Sequence, residues 1–131
     1  MSKKTGCDLK QENSLLKSFG YAASGIAQAA SERNFKVDCV ATAGALLLCA
    51  LLQVPAWGWI AVIMCCGIQL ALEALNTAIE AVVDLCSPEI HPLAKRAKDC
   101  AAGAALITAC MSVAVAAAVY IPAALALFGV I

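Results

Sequence analysis

Five polar side chains interrupt an otherwise apolar stretch of this sequence: Gln69, Glu73, Asn76, Glu80 and Asp84. Thr77 apart, every residue between them is Ala, Leu, Ile or Val. On a helix turning about 100° per residue, and measured from Glu73, the five fall at about −40°, 0°, −60°, −20° and +20°. They form one stripe. In a membrane span a single carboxylate costs at least about 2.5 kcal/mol at the centre, less near the ends. A stripe of them must therefore face protein, water, cations or a polar substrate. A salt-bridged packing seam is the plain reading, but 37–94 contains no Lys or Arg to pair with. The nearby cations stand just outside, at Arg33, Lys36, Lys95, Arg96 and Lys98. Carboxylates that hold a metal beside cations that meet phosphates are an arrangement suited to Mg²⁺ with a nucleoside triphosphate. There is no G-x-x-x-x-G-K-[ST] run, which excludes a P-loop enzyme. The single His91 stands between prolines and on its own reads as a loop residue.

Something must carry that stripe, and the composition indicates what. The 131 residues are 63% hydrophobic with a mean hydropathy of +0.85. Soluble domains run nearer half apolar, and one modest core could not hide the excess. A bilayer can, so the chain reads as an all-α membrane protein. Formal net charge is zero, which argues neither for nor against nucleic acid, and no nucleic-acid partner is expected. The eight cysteines contain no C-x-x-C and most sit in apolar runs, where they read as small buried fillers rather than a disulfide framework or zinc site.

The spacing predicts a polar, disordered tail over 1–12, without the features of a signal peptide. A one-sided helix follows over about 13–34, with Asn13 as its N-cap. Its Lys17 and Glu32 keep it from spanning, so it is expected to lie on the membrane interface. A first span is predicted over about 37–54, with Asp38 at its start. The run PAWGW makes a turn with Pro55 and Gly58, and Trp57 and Trp59 suit the interfacial belt. A second span over about 57–85 is about 43 Å long, more than the hydrocarbon requires. Its polar half can then sit at and beyond one membrane face. A polar connection with Pro88 and Pro92 as breakers precedes a third span over about 100–121, ended by Pro122. All nine Lys and Arg fall on the N-terminal segment or the second connection. By the positive-inside rule the N-terminus is cytoplasmic and the C-terminus outside. Ala101, Ala105 and Ala109, with Gly103, allow tight helix contacts, within one bundle or between copies.

The run EALNTAIEAVVD at 73–84, with HPLAKRAKD at 91–99, AAGAA at 101–105, SERN at 31–34 and Gly20-Tyr21, closely resembles the prokaryotic diacylglycerol kinase / undecaprenol kinase family. The resemblance runs from about residue 14 to the end, and E-x-x-N-[TS]-A-I-E-x-x-V-D is a long and specific pattern. It implies a bacterial inner-membrane homotrimer of an interfacial helix plus three transmembrane helices, with active sites shared between subunits. It implies ATP- and Mg²⁺-dependent phosphorylation of a lipid alcohol. Glu73 would be the general base that meets the lipid hydroxyl, and Asn76 would position the reacting groups. Glu32 and Glu80 would ligate Mg²⁺ on the ATP phosphates. Tyr21, Glu89, His91, Lys98 and Asp99 would join Glu32 and Glu80 in contacting the nucleotide. Ser14 departs from the family, many of whose members carry Arg there, and Lys95 stands where enterobacterial diacylglycerol kinases have Gly. The 91–99 wording is similar to the undecaprenol-kinase branch of Gram-positive bacteria, so undecaprenol is slightly favoured over diacylglycerol. From the residues alone, a small oligomeric cation transporter or a non-catalytic membrane assembly subunit is the alternative. Against a permeation path, 60–68 offers no polar side chain and 104–121 few, chiefly Thr108 and Ser112.

Overall fold

A computed structural model describes residues 15–87, 89 and 91–130. The expected tail over 1–12, the Asn13 cap, Ser14 and the breaker Pro88 lie outside the described residues. Among the described residues the chain folds into four helices: α1 (Leu15–Ala29), α2 (Arg33–Leu51), α3 (Ala56–Cys86) and α4 (Pro92–Leu127). The last three are long and apolar enough to cross a membrane. At 1.5 Å per residue they are about 28, 46 and 54 Å long, against a hydrocarbon core of about 30 Å. Their order is up, down, up. Asp38 near the start of α2 bonds Gln69 in mid-α3, and Tyr120 late in α4 bonds Ala45 and Cys49 of α2.

Several boundaries differ from the spacing, each for a local reason. The first helix stops at Ala29 rather than running to residue 34. Ser31 N–H bonds Gln28 O and Glu32 N–H bonds Ala29 O, both at 3.0 Å, and these turn the chain into α2. The first span thus opens at Arg33, four residues earlier than its apolar run. Pro55 is the N-cap of α3, so Gly58 is not a turn residue but sits inside the first helical turn. A Cβ on Gly58 would overlap the Val54 side chain and lie 3.0 Å from Val119 Cγ1, so only glycine lets α4 come this close. The reversal is made instead by Gln53, at φ 51°. Pro92 begins α4, where its missing N–H costs nothing, and His91 caps that helix by accepting Leu93 N–H on Nδ1 at 3.2 Å. Hence the expected polar connection shrinks to about residues 87–91. Pro122 does not end the last helix, which continues to Leu127, because a span tolerates the lost bond when neighbouring helices pack around it.

Helix α3 is the axis, packed on both α2 and α4, with α1 leaning on it. Cys49, Val54, Val62 and Val119 form a buried cluster at the end of the bundle where α2 turns into α3. The Tyr120 hydroxyl donates to Ala45 O at 2.9 Å beside it. Val40, Leu47, Ile60, Ile63, Leu106 and Met111 point outward, as side chains that meet lipid do. On α1, Leu15, Leu16, Phe19 and Ile26 are likewise uncovered by protein.

Candidate active site

At the opposite end of the bundle the start of α2 lies against the second half of α3. Glu32, Arg33 and Asn34 on one side, and Glu73, Asn76, Thr77 and Glu80 on the other, line a small acidic pocket. Glu73 and Asn76 are the buried polar residues among those described, 5% and 6% exposed. The stripe reading grouped them because Gln69, Glu73, Asn76, Glu80 and Asp84 recur at helical spacing on one face. Asn76 Nδ2 donates to Glu80 Oε1 at 3.1 Å, which fixes the amide across one turn. Its Oδ1 is buried with no hydrogen-bond partner. A buried acceptor left without a donor costs about 1–3 kcal/mol, so such an atom marks a place where a donor belongs. Thr77 Oγ1 donates to Glu73 O at 3.1 Å, turning the hydroxyl back to the helix.

Glu32 occupies the N-cap of α2 yet makes no capping bond with its side chain. Its carboxylate is thereby left to the pocket, where Glu80 also stands. Among the described residues no three His, Cys, Asp or Glu side chains cluster as a ready metal cage. Mg²⁺ does not require one, since it commonly takes one or two carboxylates with water and phosphate oxygens.

The remaining expected residues gather elsewhere. Glu89, His91 and Lys98 line a second cleft between the end of α3 and the start of α4, together with Asp84 and Lys95. Lys98 Nζ pairs with Asp84 Oδ1 at 2.5 Å, and Lys95 Nζ with Asp99 Oδ2 at 2.7 Å. Within one chain, Asp99 is thus engaged by its neighbour one turn back, and Tyr21 stands exposed on α1. Neither lines either cleft.

One feature of the site escaped the spacing. Below Glu73, Thr108 Oγ1 of α4 donates to Gln69 Oε1 at 2.6 Å, and Gln69 Nε2 donates to Asp38 Oδ2 of α2 at 3.0 Å. This chain of bonds ties all three long helices at one level. It separates the acidic end from an apolar groove of about 250 Å³ that runs past Ala41, Val62, Ala109 and Val113 to Tyr120. Asp38 and Gln69 line both the groove and the polar cleft above it, which also holds Glu73 and Asn76. In the sequence Gln69 belongs to the stripe, whereas Asp38 and Thr108 are single polar residues in two other apolar runs. Nothing in it says that they meet.

Comparison with known proteins places this arrangement. The chain is 39% identical over 111 residues to an undecaprenol kinase of Bacillus subtilis (strain 168), covering 84% of this chain and 90% of that one. It is 39% identical over 115 residues to a diacylglycerol kinase of Synechocystis, covering 86% of this chain and 66% of the relative. With the diacylglycerol kinase of Escherichia coli (strain K12) the identity is 35% over 100 residues, covering 76% and 82%. The profile described as prokaryotic diacylglycerol kinase matches residues 20–120, which take in the whole of the acidic pocket, the second cleft and the polar tie, and so the chain belongs to the prokaryotic diacylglycerol kinase family.

Proposed function

We propose that this protein is a membrane lipid kinase that transfers the γ-phosphoryl group of Mg-ATP to the hydroxyl of a lipid alcohol. The observation that carries the reading is Glu73 and Asn76 buried side by side at the polar end of a spanning helix, with Asn76 Oδ1 lacking a donor. A lipid hydroxyl at the mouth of the pocket supplies a proton that can be shared between these two groups. Glu73 takes that proton as the lipid oxygen forms its bond to phosphorus and the bond to the departing ADP oxygen breaks. The protonated carboxyl then returns its proton to water. Asn76, held by Glu80, fixes the direction of the hydroxyl. Phosphoryl transfer depends on such alignment and on neutralised charge more than on covalent help from the protein. Glu32 and Glu80 are the residues that would hold Mg²⁺, whose oxygen preference fits two carboxylates and whose charge offsets that of the phosphates.

Lys98, with Glu89, His91, Tyr21 and Asp99, serves the nucleotide. The cytoplasmic face of a bacterial inner membrane is the setting that fits the cations of α2 and α4 and a supply of ATP. The working form is a homotrimer that shares its sites between subunits. This reading is supported by the split of the expected residues, in one chain, between the acidic pocket, the second cleft and the exposed face of α1. Undecaprenol is slightly favoured as the acceptor: the Bacillus relative bears that name, while the apolar groove does not measure tail length.

The test is phosphotransfer from radiolabelled ATP in lipid–detergent micelles, with undecaprenol and diacylglycerol side by side. Wild type should yield a labelled lipid phosphate and Glu73→Gln should yield none while folding normally. The ratio of the two products identifies the acceptor. Folded wild-type protein that labels neither lipid would overturn the reading.

A further inference from the structure

The acidic pocket poses an electrostatic problem that the residues assigned so far do not solve. Glu32, Glu73 and Glu80 line it, and Asp38 lines the adjoining cleft, so even with Mg²⁺ held by Glu32 and Glu80 an incoming phosphoryl group meets further carboxylate charge. Arg33 is the cationic residue that lines both of these spaces. The other cations near this end are engaged or sit elsewhere. Lys98 pairs with Asp84, Lys95 pairs with Asp99, and Lys36 Nζ donates to Ser31 O at 2.6 Å. Arg96 lines neither space. Among the described residues the Arg33 side chain makes no hydrogen bond and no ion pair.

Its position in the fold is also unfavourable. Arg33 is the first residue of α2, where the helix dipole presents its positive end and disfavours a cation. No acidic residue follows in that turn to offset it. A guanidinium that makes no bond within the fold, yet lines the pocket beside Asn76, leaves its donors to a ligand with acceptor oxygens, while the unmet Asn76 Oδ1 awaits a hydroxyl donor. The planar guanidinium presents five donors in a fork that matches phosphate oxygens.

We propose that Arg33 grips the γ-phosphoryl group during its transfer to the lipid hydroxyl. The proposal rests on the kinase reading above and adds to it a catalytic residue. The bond from the lipid oxygen to phosphorus forms, the bond to the ADP oxygen breaks, and the proton goes to Glu73. Arg33 stays protonated throughout and neutralises charge on the transferring oxygens.

The experiment compares the full-length wild type, Arg33→Gln and Arg33→Lys in detergent. It measures equilibrium binding of Mg-ADP and of the β,γ-methylene analogue of ATP, and kcat with saturating lipid alcohol. Arg33→Gln should weaken the analogue by about 10- to 100-fold, the worth of one charge-assisted contact, and leave ADP within about twofold. Its kcat should fall by at least the same factor, and Arg33→Lys should recover part of both losses. The residue is exposed and unpaired, so neither variant should lower the melting temperature; the lysine variant keeps the charge if the glutamine variant fails to fold. Equal weakening of both nucleotides, or unchanged affinity for the analogue, overturns the proposal. Active wild type with an unaffected Arg33→Gln sinks this inference alone. Wild type that neither binds nucleotide nor labels lipid sinks the kinase reading with it.

Discussion

Gln69 is the hub of the tie between the three long helices, and replacing it by leucine tests how that tie works. The substitution keeps the bulk and removes both bonds: the 2.6 Å bond from Thr108 Oγ1 and the 3.0 Å bond to Asp38 Oδ2. The two losses are unequal. Thr108 Oγ1 stands 2.9 Å from Ala105 O and 3.3 Å from Ala104 O, so its hydroxyl turns back to its own helix. Asp38 loses the one side-chain donor that the described residues give it. Interhelical hydrogen bonds in membrane proteins average about 0.6 kcal/mol, whereas bonds to charged groups run at about 1.5–3 kcal/mol. Thr108→Val should therefore cost about 0.6 kcal/mol and Gln69→Leu about 2 kcal/mol. The double substitution should cost little more than Gln69→Leu alone, since the valine then removes a bond already gone. Reversible unfolding in mixed micelles, monitored by near-ultraviolet circular dichroism, measures all three. Additive losses, or a larger cost for Thr108→Val than for Gln69→Leu, would refute the argument that the tie acts through Asp38.

Three further outcomes are expected. Asn76→Leu removes an acceptor that has no donor together with the 3.1 Å bond to the half-buried Glu80 carboxylate, so it should cost about 1.5 kcal/mol in the same unfolding assay while kcat falls by about 100-fold or more. A loss of stability matching the loss of rate would make Asn76 structural. Gly58→Ala gains about 1 kcal/mol of helix propensity, but its Cβ meets stiff valines at 54 and 119, an overpacking cost of about 1–3 kcal/mol; a lowered melting temperature is expected, and a raised one would mean that α4 can retreat. Mixing Glu73→Gln subunits with Lys98→Ala subunits, each expected to be inactive alone, should restore part of the activity if sites are shared between copies, whereas persistent inactivity of the mixture would place both residues on one chain's site.

The sequence by itself determined the solvent, the number of spans and the chemistry of one helix face. Those are properties of single segments: hydropathy sums over a run of residues, and a stripe at helical spacing is set by the α-helix repeat alone. That is why Glu73, Asn76 and Glu80 were legible as a group, and why the long motif at 73–84 sufficed for the family. Boundaries were less legible, because short turns and neighbours decide them. Gly58 and Pro122 look like breakers in a one-dimensional reading, yet one is a packing contact and the other is carried inside α4. What only the tertiary structure decided is which side chains from different helices meet. Glu32 and Arg33 reach the acidic stripe because a two-bond turn after Ala29 aims the start of α2 at α3. Asp38, Gln69 and Thr108 become one chain of bonds because an up-down-up arrangement brings an early residue of α2, a middle residue of α3 and a middle residue of α4 to one depth. Long-range meetings of this kind follow from how helices pack, which no local pattern of residues encodes.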